Sequence, residues 1–374
     1  MRVLHLINQG RYGSAASIAQ VCKGLAELDV EVSVASFVRG PEEGLRLEAE
    51  LARAAIPWVP IRLADRPRWM KPRLLFRTLE LRTVHRSVGN QRYDLVHSHD
   101  LFSGYFAAWL ARSTGAALVA THHGESGYPL YIRLYELLYR LWSRRFERIS
   151  TPSRALLGTL APFVGRDRLC FIPNSLDLEA WQARLARARS LRPELGLRPD
   201  ALVVGMVGRL SAEKGHSTAL RALAALMRDP SVPDAAILLA GDGPLRSRLE
   251  AEATSLGLRN RVRFLGYLDD TAEVFRTIDL LIHPSYSETT PMVILEAMAS
   301  SVPVAATAVG EVPWMLGEDA GIVVAPGAPD ALAEALKAIC ERPELRRGIA
   351  ERALARVRER FDHHRAARRY VEEL

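Results

Sequence analysis

Short apolar runs alternate with helix-patterned stretches from one end of this chain to the other. They are Val3 to Ile7, Val30 to Phe37, Asp94 to His97, Ala117 to Ala120, Leu202 to Val207, Ala235 to Ala240, Val262 to Leu265, Leu280 to Ile282 and Gly321 to Val324. A strand that is apolar along its whole length needs cover on both faces, and the intervening helices supply it, so this rhythm predicts parallel α/β layers. The rhythm pauses after Phe171-Ile-Pro-Asn-Ser-Leu-Asp177, where a polar, helix-prone stretch to Asp200 precedes a fresh strand.

At 374 residues the chain is too long for one ordinary core. Two Rossmann-like halves are expected, over 1–174 and 175–357, with a further C-terminal helix over 358–374. In such sheets ligands bind outside the carboxyl ends of the strands, which makes the cleft between the halves the expected site. No stretch approaches the roughly 20 apolar residues that cross a bilayer. The opening Met1-Arg-Val-Leu-His-Leu-Ile7 runs directly into a strand pattern, so a soluble cytoplasmic protein is expected. Cys22, Cys170 and Cys340 have neither metal-ligand spacing nor an even count, and read as reduced.

The formal net charge of +7 points to an anionic partner. Nine bases lie between Arg62 and Arg92, against Asp65 and Glu80 alone. Trp69, Met70, Leu74, Leu75 and Phe76 interleave with Arg68, Lys71, Arg73 and Arg77, a pattern that suits either a segment lying on anionic lipid or apolar residues packed on the first half's own sheet beneath solvated bases. Tyr128, Tyr131 and Trp142, with Arg133, Arg144 and Arg145, extend that surface. Nucleic acid is not the expected partner, because no recognised module or stacking surface accompanies the charge.

Chemistry concentrates at strand ends in the second half. Gly205-Met-Val-Gly-Arg-Leu-Ser-Ala-Glu-Lys-Gly215 ends a strand and opens a helix, offering Gly208, Arg209 and Lys214 toward phosphate oxygens. Ala240-Gly-Asp-Gly-Pro244 reads as a scaffolding turn, and Gly310 can approach a ligand closely. In His283-Pro-Ser-Tyr-Ser-Glu288, followed by Thr289, Thr290, Pro291, Met292 and Val293, a strand gives way to a helix. A threonine caps this helix and Pro291 suits its first turn. Its free amides suit a phosphate. Glu296, in the second turn, suits a vicinal diol such as a ribose, while Glu288 suits a second sugar ring.

Gly-Arg-Leu-x-x-Glu-Lys-Gly at 208–215, Gly-Asp-Gly-Pro at 241–244, the glutamate pair and Pro303-Val with Thr307 together resemble family 4 of the retaining glycosyltransferases. The first half agrees, through Asp94-Leu-Val-His-Ser-His99, Thr121-His-His-Gly124 and Ile172-Pro-Asn-Ser-Leu-Asp177. The resemblance implies a GT-B fold whose last helix crosses back to the first domain. It assigns Arg209 and Lys214 to the diphosphate of a UDP- or GDP-linked sugar, Glu296 to the ribose and Glu288 to the transferred sugar. Amides near Thr290, Pro291, Met292 and Val293 assist, and Gly13 lets a backbone amide approach. His123 falls where an imidazole contacts the donor sugar. His99 is placed on the acceptor side, and His97 is expected to pack in the sheet. Asn174-Ser175 and Ser300-Ser301 depart from the family by carrying serine where glycine is usual.

The resemblance implies front-face transfer to a glycan or lipid-linked acceptor. The departing phosphate oxygen takes the proton, with no cofactor and no metal. No Asp-x-Asp pair occurs in the chain. A nucleotide-sugar epimerase, a sugar phosphorylase and a non-catalytic nucleotide-binding scaffold are the rival readings.

Overall fold

The computed structural model describes residues 1–8, 13–38, 45–63, 77–89, 91–124, 137–199, 201–229 and 235–374. They form two units, Met1–Ser175 with His363–Leu374, and Leu176–Asp362. The lines drawn from the sequence are at 174 and 357. The aromatic and basic residues of 64–76, and Tyr128, Tyr131 and Arg133, lie outside the described residues. Of the surface proposed with them, Arg145 covers the Trp142 ring at 3.9 Å, and Arg144 Nε donates to the Phe163 carbonyl at 3.3 Å.

In the first unit, β1 (Arg2–Asn8), β2 (Glu31–Val38), β3 (Trp58–Arg62), β4 (Leu95–Ser98), β5 (Ala117–Thr121), β6 (Arg148–Thr151) and β7 (Leu169–Phe171) form one sheet. Its order is β3-β2-β1-β4-β5-β6-β7, and every pairing is parallel. The helices are α1 (Gly13–Ala26), α2 (Leu45–Arg53), α3 (Arg77–Val88), α4 (Leu101–Thr114) and α5 (Arg154–Val164). The period-2 geometry of β1 divides its apolar run between two cores. Leu4 and Leu6 pack with Phe37, Ile61, Phe106 and Phe146, whereas Val3 and Ile7 pack with Ile18, Leu25, Val32 and Val34.

In the second unit, β8 (Leu202–Val207), β9 (Ala235–Ala240), β10 (Val262–Gly266), β11 (Leu280–His283), β12 (Val304–Thr307) and β13 (Ile322–Val324) run parallel in the order β10-β9-β8-β11-β12-β13. The covering helices are α6 (Leu178–Arg187), α7 (His216–Leu226), α8 (Arg246–Ser255), α9 (Ala272–Thr277), α10 (Met292–Ala299), α11 (Val312–Leu316), α12 (Pro329–Glu341) and α13 (Pro343–Arg360). The final helix, α14 (His363–Glu373), belongs to the first unit and packs on α1. Gly24 makes that contact close, since a Cβ there would lie 2.8 Å from Ala367 Cβ, and His363 Nε2 meets Glu27 Oε2 at 2.8 Å.

Both sheets reverse their strand order beside their first strand, at β1/β4 and at β8/β11. A parallel sheet opens its ligand crevice at such a point, because successive crossovers there leave for opposite faces. Among the described residues no helix is long and apolar enough to cross a membrane.

Candidate active site

At the β8/β11 switch point the chain is drawn together by glycines. A Cβ on Gly241 would lie 1.9 Å from the Gly208 carbonyl oxygen, and one on Gly243 would lie 2.5 Å from the Leu210 carbonyl oxygen. The Gly-Asp-Gly turn is thus backbone support for the loop that carries Gly208 and Arg209. Leu210 N donates to the Asp242 carbonyl at 3.0 Å. A 3-10 turn, Ala212–Lys214, follows and ends at Gly215 with φ 69°. A Cβ at Gly215 would lie 2.0 Å from the Pro284 carbonyl oxygen. Only glycine lets the turn approach the segment after β11 so closely, and Tyr286 N closes the contact on the Glu213 carbonyl at 2.7 Å.

That approach delivers Lys214 to Glu288. Lys214 Nζ lies 2.7 Å from Glu288 Oε1, which also receives His283 Nε2 at 2.9 Å and Ser285 Oγ at 2.7 Å. Burial alone would push this carboxyl up, but His283 and Lys214 outweigh it and hold the group down at about 2. Glu288 is therefore a fixed anion whose donors all converge on one oxygen. Lys214 spends one N–H on it and keeps others for a ligand. Arg209 is exposed on the same loop.

The loop after Glu288 runs through buried Thr290 into α10. The threonine cap expected from the sequence is not formed. Pro291 itself occupies the N-cap position, one residue ahead of the first turn, and Met292 and Val293 open the helix. Glu296 lies half-buried in the second turn and accepts from Thr271 Oγ1 at 3.2 Å. Gly310, expected to be able to approach a ligand closely, lies close against the Glu288 segment. Its φ is 53°, and a Cβ would lie 2.1 Å from the Glu288 carbonyl oxygen.

In the first unit the β1/β4 register sets His5 beside His97. His97 packs in the sheet, its Nε2 2.8 Å from Thr121 Oγ1. His99 follows β4 and is buried, and His123 follows β5 and is half-buried. His99 Nδ1 lies 3.1 Å from His123 Nε2, and His5 Nδ1 lies 2.9 Å from His99 Nε2. Burial lowers His123 to about 4 and His5 to about 3. Gly13 is the first residue of α1.

The structure joins Lys214 with Glu288 and His99 with His123, one pair in each unit. Sequence reasoning assigned no role to His5, His283, Ser285 or Thr271. One signal was available for His5, a titratable residue inside the otherwise apolar Val3 to Ile7.

Residues 12–180 match the family model described as Glycosyltransferase Family 4, and residues 188–356 match Glycosyl transferases group 1. The D-inositol 3-phosphate glycosyltransferase of Streptomyces griseus is 30% identical over 387 residues, covering 92% of this chain and 80% of that one. EpsF of Bacillus subtilis is 30% identical over 221 residues, and the chain spans only 57% of its length. Among solved structures, HepE of Anabaena in complex with UDP-glucose superposes with a TM-score of 0.80 at 24% identity, over 100% of this chain and 98% of that one. At that identity the superposition speaks for the fold alone, two Rossmann-like units of the GT-B class. With glycosyltransferase models matching both halves and a 30% identical relative aligned across nine-tenths of this chain, the chain belongs to glycosyltransferase family 4.

Proposed function

We propose that the chain moves a sugar, with retention of configuration, from a UDP- or GDP-linked donor to a glycan or lipid-linked acceptor. The setting is cell-envelope polysaccharide or glycolipid synthesis at the cytoplasmic face of a membrane. The observation that carries this reading is the Lys214–Glu288 pair at the sheet's switch point, a cation for the diphosphate set directly against an anion for the sugar.

Arg209, Lys214 and the amides of Gly208 and of Thr290, Met292 and Val293 would take the diphosphate, with Pro291 shaping the turn and Gly13 admitting a further amide. Glu296 would take the ribose, Glu288 a hydroxyl of the transferred sugar, and His123 the sugar near its anomeric carbon. Front-face attack is the route the family resemblance implies, in place of a covalent intermediate on Glu288. The acceptor oxygen bonds to the anomeric carbon as the bond to the diphosphate breaks, and the departing phosphate oxygen takes the acceptor proton. Lys214 and Arg209 stabilise the charge that develops there, so no divalent ion and no cofactor is needed. The bases between Arg62 and Arg92 would hold the enzyme on anionic lipid.

The test is a panel of UDP- and GDP-sugars, with and without lipid extract and EDTA, read by free nucleotide and by the anomeric configuration of the product. Acceptor-dependent release of nucleotide with retention in EDTA is expected. A donor altered without any acceptor would make the chain an epimerase, and loss in EDTA restored by magnesium would overturn the metal-free step.

A further inference from the structure

Three imidazoles of the first unit are joined ring to ring, His5 to His99 at 2.9 Å and His99 to His123 at 3.1 Å. His97 flanks the middle ring, its centroid 4.4 Å from that of His99, and Thr121 anchors it. His5 and His97 lie within β1 and β4, His99 and His123 follow the carboxyl ends of β4 and β5, and burial keeps all four neutral at neutral pH.

A neutral imidazole carries one N–H, and that fixes the proton count. Each of the two junctions needs one proton, and His99 can supply only one. With its proton on Nδ1, His99 donates to His123 Nε2 and accepts from His5 Nδ1, so His123 must carry its own proton on Nδ1. With the proton of His99 on Nε2, every donor reverses and His5 Nε2 becomes an N–H. Among the described residues, His5 Nε2 is buried and has no hydrogen-bond partner. A buried N–H left unpaired is rarer in proteins than an acceptor with an unused lone pair, so the first arrangement is the favoured one.

We propose that His5 and His99 are positioning residues that lock His123 in its Nδ1–H tautomer, leaving it to present a hydrogen-bond donor from the one ring nitrogen the imidazole chain does not occupy. A donor there suits a hydroxyl or ring oxygen of a sugar. That consequence rests on the transferase reading, whereas the tautomer does not.

The experiment is a two-bond ¹H–¹⁵N correlation spectrum of the full chain carrying ¹⁵N-labelled histidine, at neutral pH and without substrate. His99 and His123 should both show Nδ1–H, against the Nε2–H form that free histidine favours. An Nε2–H pattern at His123 overturns the proposal. So does stoichiometric zinc binding that shifts His5, His97 and His99 together, since one nitrogen of each lies within 4.8 Å of the others. A second arm uses His99→Gln, whose amide N–H can still donate to His123, and His99→Leu, which cannot. His99→Leu should return His123 to Nε2–H and lower kcat about tenfold, the loss of roughly one hydrogen bond, at unchanged nucleotide affinity. His99→Gln should restore most of that loss. Equal loss in both variants, or a parallel loss of nucleotide affinity, would make His99 merely structural. Should no donor be turned over, the transferase reading fails while the spectrum still decides the tautomer.

Discussion

Lys214 and Glu288 are 74 positions apart in the chain and 2.7 Å apart in space. The contact exists because Gly215 lets the Lys214 turn lie on the Pro284 carbonyl, so a glycine places a cation for one half of a ligand against an anion for the other.

The pair makes stability depend on pH in one window. The Glu288 carboxyl titrates at about 2 in the fold, against an ordinary 4.5. A lowered folded value stabilises above the unfolded value, and the contribution is lost as pH falls from 4.5 toward 2. At neutral pH it is on the order of 3 kcal/mol. Urea unfolding of Glu288→Gln should therefore show a deficit at pH 7 that shrinks through this window. A deficit constant from pH 7 to pH 3 would contradict the assignment.

Lys214→Ala leaves Glu288 its bonds from His283 and Ser285, so the fold should survive while the diphosphate loses its partner. Turnover should fall by roughly two to three orders of magnitude, the usual cost of removing one charge-stabilising donor. Arg209→Ala should fall by a similar amount. Near-normal rates in either variant, measured at saturating donor, would remove that residue from the diphosphate site.

Gly215 and Gly257 give a matched comparison, because both have positive φ, 69° and 77°, but only Gly215 is crowded. Gly257→Ala should cost about 1 kcal/mol of left-handed strain and leave nucleotide affinity alone. Gly215→Ala must also move Pro284, and should lower both the melting temperature and nucleotide affinity. Equal effects in thermal unfolding and nucleotide titration would show that the turn does not need this approach.

How much could be read beforehand follows from how local each signal is. Runs that are apolar on both faces declare themselves, and Leu202–Val207 and Ala235–Ala240 are strands over the residues expected. By contrast β3 contains Pro60, β7 has three residues and β6 opens on Arg148, so none shows a sustained run. Pairing to distant neighbours decides them, and the proline is tolerated because β3 is an edge strand. Lys214, Glu288 and Glu296 stood out by motif spacing. The purpose of His283 and Ser285 appears only once Lys214 arrives from another loop, and His5 is hidden until the register sets it beside His97.

The serine at 301, where the family resemblance expects glycine, has a structural cost. After α10, Val302 N donates to the Ala297 carbonyl at 2.9 Å and Ser301 N to the Met298 carbonyl at 3.2 Å. This is the helix-ending motif that places a left-handed residue just past the cap, and Ser301 takes it at φ 55°. Its side chain is exposed. Ser301→Gly should relieve the strain and raise stability by about 0.5–1 kcal/mol, with activity unchanged. Chemical denaturation that shows a loss would mean the hydroxyl has an unrecognised partner.

Glu296 and Thr271 come from different helices, α10 and the cap of α9, and meet at 3.2 Å. A carboxylate that is to accept from both hydroxyls of a ribose needs a fixed plane, and the threonine supplies one restraint on it. Glu296→Gln replaces one acceptor oxygen with a donor and should weaken binding of a nucleoside diphosphate about tenfold, the loss of one charge-assisted hydrogen bond. Thr271→Val keeps the carboxylate but removes this restraint on it, and should weaken binding by a smaller factor, about threefold. Calorimetric titration with nucleoside diphosphate separates the outcomes. Unchanged affinity in Glu296→Gln would remove it from the ribose site, and a Thr271→Val loss as large as that of Glu296→Gln would mean the threonine itself touches the nucleotide.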